Sequence, residues 1–512
     1  MKVMIGSSVA SVKYGASDTT IQKGEPSESI GANSLRIAIV DGQVVEDSSI
    51  VVDVVAFTYD PSASMITPIV NGVTTSQTTL QWPSVGGNSV SVFRATVPLS
   101  IGTNEITAVS GESVDSIVVY RKNSLSTIGV SNANDAKQAI QDAFDGTSNH
   151  DIIEINYTEP DFGFNVLDNI GSGLSASREG FLTVKPGTGS IGFNTDGAVG
   201  TNDRFIPKLP SGCDLHIYDA QIGSTSSNTA VGYYDLTNHA GRLWFDNCSI
   251  SGKYNVTDYT ESDQFDPQYS TQWPRSITGD NPVSFTECEW YGVPFKQCGV
   301  QLELVRDCVF RQIRGDVNDL GKLVVNIYCE DLKGITYPGG ADVTHQDLFQ
   351  IWGQSTGWQP NGSIFYGCKV GQNLIAEFDG QPIFFSRTYN PSYSGIVVDS
   401  VFVDQPADTP RQTQFAGVCR NSRISNVSHP TKPVTFRMYA TGTDTAFEPD
   451  STVFFDNIDS QYVAKVLSTG NVAIKITDVS DPNDISPELN ADTDLQGATG
   501  ETPSFSSWKI NE

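Results

Sequence analysis

Short runs of alternating apolar and polar residues dominate the middle of the chain, and they come as a repeated unit. Leu243-Trp244-Phe245-Asp246-Asn247-Cys248-Ser249-Ile250 sets it: alternating apolar residues, a polar pair, a cysteine and a second short strand. It returns as Val283-Ser284-Phe285-Thr286-Glu287-Cys288-Glu289-Trp290 and Leu302-Glu303-Leu304-Val305-Arg306-Asp307-Cys308-Val309-Phe310. Val324-Val325-Asn326-Ile327-Tyr328-Cys329 and Ile364-Phe365-Tyr366-Gly367-Cys368-Lys369-Val370 follow, and Val397-Val398-Asp399-Ser400-Val401-Phe402 keeps the unit with Ser400 in the cysteine slot. Period-2 alternation predicts strands. The slots lie 40, 20, 21, 39 and 32 residues apart. A coil of stacked short strands takes roughly 20 to 30 residues, so each gap reads as one or two coils. The prediction is an all-β chain whose body, over 150–470, is a parallel β-helix solenoid in which each coil buries its strands on the next.

Around that body the pattern changes. Residues 34–121 hold separate alternating segments, among them Ile50–Phe57, Ser91–Val97 and Ser116–Tyr120, with Asn71-Gly72 as a hairpin signal. Ala136, Ala139, Ile140, Ala143 and Phe144 make one apolar helical stripe over 131–146, with Ser131 or Asn132 to cap it and Gly146 to stop it. A strand, Ile152–Ile155, comes next. Gly6, Gly15 and Gly24 recur nine apart in the leader, and past 470 the regular pattern fades into acidic loops without the order of a calcium-binding loop. The expected segments are therefore 1–33, a leader; 34–121, a β-sandwich; 122–149, a linker and capping helix; 150–470, the solenoid; and 471–512, a C-terminal extension.

Composition agrees with a turn-rich β protein: 38% hydrophobic, 18% charged and 46 glycines in 512 residues. The net charge of −28 repels phosphate backbones and argues against a nucleic-acid partner. No apolar run reaches the length of a membrane helix, and no signal peptide follows Met1-Lys2-Val3. The eight cysteines (213, 248, 288, 298, 308, 329, 368, 419) mostly fall in the repeat slot and form no Cys-x-x-Cys. They predict an internal ladder of reduced thiols, made in a reducing cytoplasm, with neither zinc nor any other metal or cofactor.

Candidate chemistry concentrates at Gly339–Gly353, in the order Asp342, His345, Asp347, Gln350, Trp352. His345 and Asp347, two apart, can share a face and hydrogen bond, which would fix the imidazole tautomer and raise its basicity. Glycosidic hydrolysis needs two carboxyls, for which Asp342, Asp347, Glu377 and Asp379 are the candidates. A β-elimination needs a base and a cation, for which His345 or Tyr389 and Arg387 are available. Tyr259 and Trp273, in an aromatic and acidic insertion over 253–281, and Trp358 and Tyr389 in later excursions, suit stacking on sugar rings or packing against another subunit. A polar ladder that satisfies backbone groups is the structural alternative for the whole Asp342–Gln350 stretch.

Several of these stretches resemble known families. The leader, with Val3-Met4-Ile5-Gly6-Ser7-Ser8 and Val12-Lys13-Tyr14-Gly15-Ala16-Ser17, looks like short repeats near the ends of phage virion proteins. Phe93–Ile106, a strand followed by Pro98-Leu99, a Gly102 turn and the next strand, resembles bacterial immunoglobulin-like modules. The helix followed by Asp151-Ile152-Ile153-Glu154-Ile155 resembles the start of right-handed parallel β-helix proteins, polysaccharide lyases and phage tailspikes among them. Asp342-x-x-His345-x-Asp347-x-x-Gln350 resembles a stretch of carbohydrate-handling β-helices, whereas the motifs of β-helix polygalacturonases are absent. These resemblances imply a virion-surface adhesin, tailspike- or fibre-like, held to other virion proteins by its N-terminal region. They further imply a homotrimer that binds host-surface polysaccharide, with cleavage of that polysaccharide open. A capsid decoration or tail structural protein, and a cellular polysaccharide lyase or hydrolase, are the rival expectations.

Overall fold

The computed structural model describes residues 33–58, 66–78, 90–167, 178–194, 209–223, 241–251, 277–291, 298–311, 321–330 and 364–370, with positions 170 and 174. It also describes the strands 347–352, 381–386, 397–403, 414–416, 422–428, 435–438, 440–441, 444–445, 452–458, 460–464, 473–477 and 493–495, as backbone. The chain is mostly β. Nineteen strands, from Thr127–Val130 to Ala473–Thr477, form one long parallel ladder, the arrangement of a solenoid. A six-stranded sheet that begins with Asp347–Trp352 and Gln381–Ser386 supplies another face to the later coils.

Within a coil, two short strands meet at one left-handed residue. Asp219, Asn247, Glu287, Asp307 and Asn326 hold φ between 52° and 57°, and Gly367 takes 69°. Asn and Asp tolerate this region better than other L-residues. The next position points inward. Strand register stacks Cys248 on Cys288 on Cys308, then Ile327, Cys368 and Val401. Two expectations are corrected here. Cys329 pairs with Phe310 and so lies outside the slot, and Ser400 falls opposite Gly367, at the corner. Ile327, fully buried, holds the slot because it selects for a compact apolar side chain, not for sulfur, and Val401 stands at the same register position. Every gap is also a single coil, since Cys248 and Cys288 are immediate neighbours; the longer spacings are coils with insertions.

The second inward column runs Ile153, Val184, Ile217, Phe245, Phe285, Val305, Val324, Phe365, each at most 3% exposed. Phe245 stacks on Phe285 with centroids 5.3 Å apart, and Trp290 on Phe310 at 4.5 Å. The first coil is closed by the helix Ala133–Asp145, whose Asn132 side chain accepts from the Asp135 amide and whose chain leaves through left-handed Gly146. Its buried stripe is Ala136, Ala139, Ile140, Ala143 and Phe144, which shields the apolar end of the stack.

Strands between Asn33 and Arg121 make two sheets around a shared core of Leu35, Val54, Ile106, Ile117 and Val119. Their central strand, Ser49–Thr58, is buried on both faces. Val52, Val54 and Ala56 face the sandwich core. Val55 and Phe57 face the solenoid, joining Val92, Leu304, Leu323, Val325, Ile364 and Tyr366 in one cluster. The outward positions of those coils are apolar where the sandwich covers them, and Trp244 of an earlier coil packs against the same cluster, whereas still earlier coils carry Thr183 and His216 there. Asp53 lies on the covered side, 1% exposed, between Arg94 (2.7 and 2.9 Å) and Arg306 (2.8 Å). Arg306 also donates to the Ala38 carbonyl, and Arg242 bridges Asp41 of the sandwich to Asp214 of the solenoid. Gly180 (φ 72°) is needed at this seam, since a Cβ there would meet the Gly42 carbonyl oxygen at 2.8 Å.

Candidate functional site

Most sequence-predicted site residues, namely Asp342, His345, Glu377, Asp379, Arg387, Trp358, Tyr389, Tyr259 and Trp273, lie outside the described residues. Asp347, Gln350 and Trp352 lie on the strand Asp347–Trp352, which pairs in parallel with Gln381–Ser386: Asp347 opposite Gln381, Gln350 opposite Phe384, Trp352 opposite Ser386. The strands Ser249–Ser251, Glu289–Tyr291, Val309–Arg311, Gly321–Glu330 and Ile364–Val370 run parallel in register, so their C-terminal ends share one edge of the stack. The connections carrying Tyr259 and Trp273, then Asp342 and His345, then Glu377 and Asp379, all begin at that edge. Those carrying Trp358, Arg387 and Tyr389 begin instead at the C-terminal ends of Asp347–Trp352 and Gln381–Ser386.

The described residues hold a titratable cluster that sequence reasoning passed over. It sits on the outward face of four consecutive coils, where Thr183 pairs with His216, His216 with Trp244, and Asp246 with Thr286. The His216 ring lies flat on Trp244, 3.7 Å between centroids and 11° between planes. Its Nδ1 is 3.1 Å from Thr183 Oγ1, and its Nε2 is 3.4 Å from Asp246 Oδ2. Trp244 Nε1 donates to Thr286 Oγ1 (2.7 Å), and that hydroxyl donates to Asp246 Oδ1 (2.5 Å). Burial lowers the imidazole's pKa against the opposing pull of Asp246, so the ring is neutral at neutral pH. Tyr218, 37% exposed, stands edge-on beside it. The signal for this cluster was the outward position of each repeat unit, which becomes readable only once coils of unequal length are put in register.

A cavity of about 190 Å³ lies at the seam between sandwich and solenoid. Its charged lining is internally matched: Arg242 with Asp41, Lys322 with Glu303, and the Ile37 amide with Asp115. It is therefore read as a packing gap of the docked module. No helix among the described residues is long and apolar enough to cross a membrane.

No protein-family model matches the chain, and no curated protein matches it. Among solved structures, the Agl-KA catalytic domain aligns over 87% of each chain at 11% identity with a TM-score of 0.22. A likeness at that score carries no argument about fold or chemistry.

Proposed function

We propose that this protein is a virion-surface adhesin of a phage, built on a right-handed β-helix with an immunoglobulin-like module docked on its flank, and that it binds host-surface polysaccharide. The observation that supports the reading most is topological. The connections richest in aromatic and acidic residues start from one edge of a rigid parallel stack, as a groove for an extended polymer requires. Aromatic rings offer apolar faces to sugar C–H groups, and carboxylates accept from sugar hydroxyls. Asp347, His345, Asp342, Glu377 and Asp379 are the residues proposed to act on the glycan. Trimeric assembly, and attachment to other virion proteins through the leader, belong to the same reading.

The test is incubation of the protein with polysaccharides from candidate bacterial hosts, following retention and chain length together. Retention without shortening supports an adhesin. Shortening that Asp347→Asn abolishes adds depolymerase activity. Neither, across a broad panel, would overturn the reading in favour of a decoration protein whose partner is the particle itself.

A further inference from the structure

We propose that Thr183, His216 and Asp246 form an acyl-transfer site on the solenoid flank, hydrolysing a small ester by way of an acyl-threonine. The three residues come from consecutive coils and stand in the order nucleophile, base, carboxylate. With Nδ1 placed to accept from the Thr183 hydroxyl at 3.1 Å, the ring proton falls on Nε2, which lies 3.4 Å from Asp246 Oδ2, close enough for the carboxylate charge to act on the ring although no hydrogen bond joins the two. A hydroxyl acting as nucleophile needs this arrangement of base and orienting group. The base cannot swing, because Trp244 underlies its whole face at 3.7 Å. Asp246 is fixed in turn through its other oxygen by Thr286, itself held by Trp244 Nε1. Thr183 is partly exposed while the His216 side chain is only 11% exposed, so the nucleophile is the member that can meet a substrate.

The chemistry balances without redox or metal. Thr183 Oγ1 attacks the ester carbonyl carbon as its proton passes to His216 Nδ1. The tetrahedral intermediate collapses, the bond to the alcohol oxygen breaks, and Nδ1–H protonates the departing alcohol. Water then attacks the acyl-threonine and gives a proton to Nδ1. The acyl–Oγ1 bond breaks, Oγ1 recovers a proton, and carboxylic acid leaves. Asp246 remains a carboxylate throughout and stabilises the imidazolium of each step. O-acetyl groups on a polysaccharide are the matching natural ester. That substrate assignment rests on the polysaccharide reading above, while the acyl transfer does not.

The experiment uses the full chain and p-nitrophenyl acetate, with nitrophenol release read by absorbance and acetyl placement by peptide mass mapping after acid quench. The expected result is turnover with acetyl trapped on Thr183. Loss should be about a hundredfold or more in Thr183→Val and in His216→Gln, with turnover kept in Thr183→Ser and melting curves at pH 8 unchanged. Acetyl absent from Thr183, or Thr183→Val turning over at the unsubstituted rate, would overturn the proposal. Should Thr183→Val fail to fold, the acetyl map of the unsubstituted chain and of Thr183→Ser still decides. Binding of intact glycan is measured separately, so the two readings can fail independently.

Discussion

At the scale of single residues, the seam shows how burial changes what an ion pair is worth. Asp53 is enclosed between two guanidinium groups, and removing it leaves Arg94 and Arg306 without their common anion. Asp53→Ala is expected to cost about 3–5 kcal/mol in a urea titration. Lys185→Ala, which breaks a 3.2 Å pair whose side chains are both about one-third exposed, should change stability by about 0.5 kcal/mol or less. Asp151 gives the pH dependence. Burial pushes its carboxyl up, but hydrogen bonds from Lys122, the Ser126 amide and Arg178 outweigh that and hold it below the usual range. Its stabilising effect is therefore full above the unfolded value near 3.9 and is lost as pH falls through the folded one. His216 works in the same direction at higher pH. Its lowered folded value means that stability starts to fall once pH drops below the unfolded value of about 6.5. Thermal melts from pH 8 to pH 3 should show both losses, and His216→Gln should flatten the upper one.

Elements add their own constraints. The inward slot places free, buried thiols at Cys248, Cys288 and Cys308 in succession, with Cys368 further along. Burial and the neighbouring thiols raise the Cys288 pKa well above its ordinary value, and burial pushes Cys213 up to about 11. Cys213, Cys248, Cys288, Cys308, Cys329 and Cys368, all buried, should therefore ignore a thiol reagent at pH 8 until denaturant is added. Glu287 occupies a left-handed corner, φ 53°, that its neighbours fill with Asn, Asp or Gly. Glu287→Gly should raise the melting temperature, relieving about 1 kcal/mol of backbone strain. Asn132→Ala, which removes the helix cap, should lower stability by about 1 kcal/mol. The helix and the strands were legible because each has a local period. The cysteine slot was legible in outline, but its occupants Ile327 and Val401 were not, since only pairing between coils identifies them.

For the whole molecule, the docked sandwich is the main consequence of the tertiary structure. The sandwich shares a hydrophobic cluster with coils more than 200 residues away in sequence. Its sheet beside the solenoid is apolar on both faces, so the module depends on the solenoid for half of its cover. Leu323→Asp, at the centre of that contact, should speed amide exchange along Ser49–Thr58 in the sandwich, while exchange along Ile152–Ile155 stays slow. Equal exchange in both would mean that the two modules do not stabilise each other.

Unlike the π-helical turn Gly163–Leu167, the alternating strands, the amphipathic helix and the recurring thiol were readable from the chain alone. These follow from the 2-residue and 3.6-residue periods, which depend only on the local backbone. That the strand Ser49–Thr58 is covered on both faces was not signalled, since Ile50–Phe57 reads locally as one more alternating segment. Only the tertiary structure decided which coil lies on which, that a 40-residue gap is one coil, and that Asp53 meets Arg306. It alone assembled Thr183, His216 and Asp246. Coils of unequal length hide their register from any fixed spacing, and side chains a coil apart become neighbours only when the strands between them pair.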